Sequence, residues 1–127
     1  MSEITYDDVV HQIKKACQIY RLYKKESPDG FKSCLSSFVI KEAHGTWVPT
    51  PKEIDMADRV QFLWLRWLDP VARRLVWFRF DGLPWKVLAY QENLTIRQAR
   101  YKVDQSVKII LKNIQKNDKE SMRYIKD

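Results

Sequence analysis

Three observations make the 127-residue chain an all-α domain: a small helical domain with a C-terminal helix-turn-helix. Apolar residues recur at three- and four-residue spacing, and no Val/Ile/Thr alternation of the strand kind stands out. Only three glycines occur, Gly30, Gly45 and Gly82. Helix-start signals recur along the chain, at Thr5, Thr50, Asp69 and Thr95.

Each element follows from such a signal. Thr5-Tyr6-Asp7-Asp8 reads as a capping box, in which cap and third residue satisfy each other's backbone N–H. The first helix then carries Val9, Ile13, Ala16, Cys17 and Tyr20 as its apolar stripe. It ends before the turn cluster Ser27-Pro28-Asp29-Gly30. A shorter helix is expected over Phe31–Glu42 and a loop over Ala43–Pro49. Thr50-Pro51-Lys52-Glu53 combines an N-cap, a proline at the first helical position and a closing glutamate. Its helix carries Ile54, Ala57, Val60, Leu63, Trp64, Trp67 and Leu68. Asp69-Pro70 starts another helix to about Phe80, stopped by Asp81-Gly82, and Pro84 starts the next. Thr95 caps a long helix to about Lys116, with a short extension from Asp118. Within one domain, residues 1–49 read as a helical support or dimerisation part and residues 50–127 as the helix-turn-helix part.

The net charge of +7 is unevenly placed. Residues 1–68 hold 10 basic and 9 acidic side chains, whereas residues 69–127 hold 13 and 7. A localised basic surface suits nucleic acid or anionic lipid, although a solvated basic face produces the same count. Cys17 and Cys34 lie far apart, and with His11 and His44 they make no zinc quartet. The acidic, polar start is no signal peptide, and no apolar run approaches the roughly 18 residues of a membrane span. A cytoplasmic protein with no membrane partner is expected.

The stretch "GLPWKVLAYQENLTIRQARY" (82–101) has the order of parts a helix-turn-helix needs. Ala89 is small enough for a close helix crossing. Asn93 tolerates the left-handed conformation of the turn. Leu94 plugs the core, Thr95 caps the second helix, and Ala99 is again small. On that helix Ala99, Val103, Val107 or Ser106, Ile110 and Ile114 form the buried stripe. Arg97, Tyr101, Asp104 and Lys108 point the other way, flanked by Gln98 and Arg100. Arg97, Gln98, Arg100 and Tyr101 are therefore the candidate base readers, since guanidinium pairs with guanine and amide with adenine. Thr95, Lys86, Lys102, Lys108 and Lys112 suit phosphates; plain solubilising residues are the alternative.

"LDPVARRLVWFRFDGLPWKVLAYQENLTIRQARYKVDQSVKIIL" resembles the DNA-binding region 4 of bacterial sigma factors. More closely, the Trp64–Leu68 run, Arg74–Trp77 and the Gly82–Lys86 turn resemble an uncharacterised, prophage-associated bacterial helix-turn-helix family. Phe31–Phe38 and the first helix fit that family more loosely. The chain differs from it in having Asn93 where the family has glycine, and Thr95-Ile96-Arg97 where it has a serine-arginine pair. The resemblance implies the fold.

Trp64, Trp67, Trp77 and Trp85 sit in apolar company and read as core aromatics rather than base-stacking platforms. Arg66, Arg73 and Arg79 could stack on them or touch phosphates. No Gly-rich phosphate loop, HExxH, GxSxG or usable Cys-His pair occurs, so neither catalytic residues nor cofactor nor metal is expected. Leu111, Met122 and Ile125 look surplus to one buried stripe, which points to a homodimer with DNA half-sites about 34 Å apart. The expected function is sequence-specific binding of double-stranded DNA, as a transcriptional regulator. The alternatives are the small DNA-recognition subunit of a phage packaging machine, or an adaptor to RNA polymerase.

Overall fold

The computed structural model describes residues 4–23 and 48–126, and all regular structure among them is helical. In chain order come α1 (Tyr6–Tyr23), α2 (Pro51–Phe62), a 3-10 turn (Trp64–Trp67), α3 (Pro70–Phe80), α4 (Trp85–Gln91), α5 (Ile96–Asn117) and α6 (Lys119–Lys126). The turn expected at Ser27–Gly30, the helix over Phe31–Glu42, Cys34, His44 and most of the loop after them lie outside the described residues.

The starts of these helices are local chemistry. The first N–H groups of a helix lack intrahelical partners, and four side chains supply them. Thr5 Oγ1 accepts from Asp8 N (3.3 Å) while Thr5 N donates to Asp8 Oδ2 (2.9 Å). Thr50 and Glu53 repeat this reciprocal pair at 3.2 and 2.9 Å. Asp69 Oδ1 accepts from Ala72 N at 2.7 Å. Thr95 and Gln98 form a third reciprocal box, at 3.0 and 2.9 Å.

Two helix ends close in the left-handed region. Gly82 (φ 111°) ends α3, with Leu83 N donating to Phe78 O (3.0 Å) and Gly82 N to Arg79 O (3.1 Å). Asn93 (φ 58°) ends α4 in the same way, with Leu94 N donating to Ala89 O (2.9 Å) and Asn93 N to Tyr90 O (3.3 Å). Both are Schellman closures, which satisfy carbonyls that the ending helix would orphan. Asn93 thus has the conformation its residue type suggests. A β-branched side chain there is strained by about 1–2 kcal/mol. Asn93→Val should therefore lower the urea midpoint by that free energy divided by the denaturant slope, with the slope unchanged, while Asn93→Gly should stay within about 0.5 kcal/mol of wild type.

One expectation is corrected. The helix opened at Thr50 does not run on to Leu68: α2 ends at Phe62, and Trp64–Trp67 winds as a tighter 3-10 turn. Pro70 disfavours helical backbone just before it, and Leu68 and Asp69 are extended. The tighter turn also buries the consecutive residues Trp64 and Leu65 together. Arg73 caps it from outside, donating to Leu65 O (3.0 Å) and Leu68 O (3.1 Å).

One core runs through all of this. Ile4, Val9, Ile13, Ala16, Cys17 and Ile19 of the N-terminal segment share it with Val60, Leu75, Leu88, Val107, Ile110 and Ile114. α1 packs on α2, α3 and α5, and α5 also packs on α3, α4, α6 and the 3-10 turn. Leu111, Met122 and Ile125 pack against this chain's own core, so they are no apolar surplus. Ionic ties also cross the fold. Arg21 of α1 meets Asp81 after α3 at 2.6 Å. Asp118, between α5 and α6, accepts from Arg59 (2.6 and 3.0 Å), Trp64 Nε1 (3.2 Å) and the Ser121 hydroxyl.

Candidate nucleic-acid interface

The site is the α4–α5 pair and its outer face. Ala89 and Ala99 are both buried, and their small side chains let the two helices approach. Leu94, partly buried, packs against the core beneath the turn. The turn is also held from the side. Arg74 of α3 reaches Glu92 with two parallel hydrogen bonds, Nε to Oε2 and Nη2 to Oε1, both 2.8 Å. The Arg74 guanidinium holds the Glu92 carboxyl below the usual range. α5 is thus presented on a turn with a fixed backbone and a bidentate clamp.

α5 buries Ala99, Val103, Ser106, Val107, Ile110 and Ile114, so both members of the expected Val107/Ser106 alternative face inward. Ser106 satisfies its hydroxyl by donating to Lys102 O at 2.6 Å. Arg97 and Tyr101 lie exposed on the opposite side, Tyr101 at 67%. Among the described residues no ion pair engages Arg97, Arg100, Lys86 or Lys112.

The remaining candidates have other work in the unbound chain. Gln98 gives its amide oxygen to the Thr95 N–H, so a bidentate amide contact to adenine would require the cap to open. Thr95 in turn accepts from Gln98 N. Lys102 pairs with Asp69 at 3.2 Å and Lys108 with Asp104 at 3.1 Å. Such exposed pairs are worth about 0–1 kcal/mol, and a phosphate can displace them. The Ala72 N–H, with Lys102, keeps the Asp69 carboxyl below its ordinary value; Lys108, with Tyr6, does the same for Asp104.

Arg100 does not share the outward direction of Arg97. Its guanidinium carbon lies 5.6 Å from the centroid of the Trp85 ring, and that of Arg79 lies 4.4 Å from the same ring. Trp64 is fully buried and Trp67, Trp77 and Trp85 are partly buried against the core. Trp85 therefore both packs inward and carries two cations. The sequence suggests that Arg79 stacks on a tryptophan, and it does so on Trp85; it does not show Arg100 on the same ring or the Arg74–Glu92 clamp. Their partners lie up to 18 positions apart and follow no helical repeat; the Trp85–Lys86 turn was the nearest signal.

A concavity of about 740 Å³ lies away from this face, among α1, α2 and α6, and includes Gln12, Lys15, Asp55, Arg59 and Arg123. Of its charges, Arg59 pairs with Asp118 and Glu120, and Lys15 with Glu53. Among the described residues no three His, Cys, Asp or Glu side chains gather as a metal site. Nor is any described helix long and apolar enough to cross a membrane.

No curated protein and no solved structure matches the chain. Residues 14–110 match the model of a domain of unknown function (DUF6362), and with most of its length inside that match the chain belongs to this family.

Proposed function

We propose that the chain is a sequence-specific binder of double-stranded DNA, with α4 and α5 acting as a helix-turn-helix and the first turns of α5 entering the major groove. The observation that carries this reading is the exposed, ion-pair-free Arg97 beside Tyr101 on the outward face of a rigidly presented helix. In this reading Arg97 and Tyr101 meet base edges, and Lys86 and Lys112 meet phosphates. Regulation of transcription is the role proposed for this binding, and a packaging subunit differs from it by forming a ring.

Duplex binding should be steeply salt-dependent. About four to six phosphate contacts give a slope of log K against log salt of roughly −4 to −5, or a loss of roughly 250- to 1,000-fold between about 50 and 200 mM salt. Fluorescence anisotropy across that range is the test, and a flat response removes the DNA reading. Arg97→Ala should weaken binding to a selected duplex by about 1–3 kcal/mol and relax preference at one base position. Lys112→Ala should instead weaken all duplexes alike and make the slope shallower by about one. Neither should move the melting temperature, since both side chains are exposed.

A second reading, a protein-binding adaptor for a partner such as RNA polymerase, has its own support. Tyr90 is 85% exposed, and Val87 and Ile96 near it are also exposed. It predicts no salt-sensitive duplex affinity.

A further inference from the structure

Two arginines gather on one indole ring beside the α4–α5 pair. Arg79 comes from the last turn of α3, Trp85 opens α4, and Arg100 lies in the second turn of α5. Arg79 Nη1 is fixed by donating to Leu83 O at 3.1 Å, within the closure that ends α3. Its guanidinium stacks on Trp85, and Arg100 approaches the same ring from α5. Among the described residues no carboxylate pairs with either cation. Burial, and then the charge of Arg100, push Arg79 below its ordinary pKa.

Like charges held together without a counter-charge raise the energy of the unbound state, and the cation–π contacts only partly offset that. An anion between them relieves it. Guanidinium groups also present N–H edges in a planar fork that matches phosphate oxygens. The Leu83 carbonyl and the ring orient Arg79 before anything binds, so less side-chain freedom remains to be lost there.

Resting on the DNA-binding reading, we propose that Arg79, Trp85 and Arg100 form one phosphate site that grips a single phosphodiester of the duplex backbone, with Arg100 serving there rather than at a base. Trp85 is the positioning residue. The site joins α3 to α5, so one phosphate contact sets the depth and angle at which α5 enters the groove. Base reading then falls to Arg97 and Tyr101, on the outward face.

The experiment uses the full chain with a duplex selected from a random pool and with a scrambled duplex of equal length. Salt titrations are run for wild type, Arg79→Ala, Arg100→Ala and the double variant, with melting temperature measured for each. Arg100→Ala is expected to weaken both duplexes by the same factor and, with Arg79 still on the phosphate, to make the salt slope shallower by less than one. Because the two arginines share one phosphate, the double variant should lose about one unit of slope rather than two. Trp85→Leu, which keeps both charges, should weaken both duplexes equally. A change in the selected-to-scrambled ratio with Arg100→Ala, or a slope loss of two in the double variant, overturns the shared phosphate site while leaving the DNA reading standing. Inorganic phosphate at millimolar concentration competing equally against wild type and Arg100→Ala would overturn it too. A wild-type chain that binds neither duplex removes the DNA reading itself.

Discussion

Replacing Arg59 with methionine is expected to cost about 3–5 kcal/mol of folding stability, the scale of breaking a buried ion pair from one side. The cost comes from Asp118, whose side chain is 1% exposed against 32% for Arg59. Burial pushes the Asp118 carboxyl upward, and hydrogen bonds from Arg59 above all, then Ser121 and Trp64, outweigh it and hold the group below the usual carboxylate range. Without Arg59 the carboxylate is stranded in the core between α5 and α6. The reverse change strands less. After Asp118→Ala, Arg59 still reaches Glu120 at 3.2 Å and Trp64 Nε1 still donates to Ser121 Oγ at 3.2 Å, and the losses are the acceptor for the Ser121 hydroxyl and the first-turn bond to Ser121 N. One unsatisfied buried donor and one lost cap amount to about 2–3 kcal/mol. Small domains have about 5–15 kcal/mol in total, so the arginine variant sits near the edge of folding.

The two variants also differ with pH. In wild type the Asp118 carboxyl is depressed, so its contribution is present above the unfolded-state value of about 4 and is lost as pH falls through the lower folded value. In Arg59→Met burial is opposed by less and the carboxyl titrates upward, so acid neutralises a stranded charge. The gap between wild type and Arg59→Met should therefore narrow between pH 7 and about pH 4.5. Urea denaturation at both values checks this. A loss under about 1 kcal/mol at pH 7, or a gap that widens in acid, would show that the Asp118 cluster does not hold α6 in place.

The readable parts of this fold are those whose physics closes within a few residues. Thr5, Thr50, Asp69 and Thr95 each cap the helix that their own third neighbour completes. Asn93 and Gly82 reveal their positive φ by residue type. The stripe of α5 follows from its period, down to Ile114. What resisted reading depends on distant partners. Trp64 leaves the α2 register, and its N–H meets Asp118, 54 positions on. Arg74 finds Glu92, and Arg100 joins Arg79 on the Trp85 ring, at spacings no local pattern encodes. Gln98 is the instructive case. Thr95-Ile96-Arg97-Gln98 is the same capping pattern as Thr50 to Glu53, and applying it twice would have moved Gln98 from the bases to the cap.

The second large effect should come from Ala99→Phe. Ala99 has no exposed surface and lies on the side of α5 that packs against α3 and α4, where Ala89 is also small and buried. A phenyl ring there must push α4 outward, and α4 has little room to yield. Its C-terminal turn is closed by Leu94 N to Ala89 O at 2.9 Å and clamped through Glu92 to Arg74, and Trp85 carries Arg79 at its start. Overpacking a well-filled core costs about 1–3 kcal/mol, and a site held on three sides belongs at the upper end or beyond, at about 3 kcal/mol. The distinction from the arginine variants is diagnostic. Arg97→Ala should lose sequence preference with an unchanged melting temperature, whereas Ala99→Phe should lose stability first and DNA affinity only as a consequence. Binding measured at low temperature, where the folded fraction recovers, should then restore much of the affinity of Ala99→Phe and none of the preference lost by Arg97→Ala. If Ala99→Phe melts like wild type, the α4–α5 crossing is looser than the buried alanines imply, and the rigid presentation of Arg97 and Tyr101 loses its physical basis.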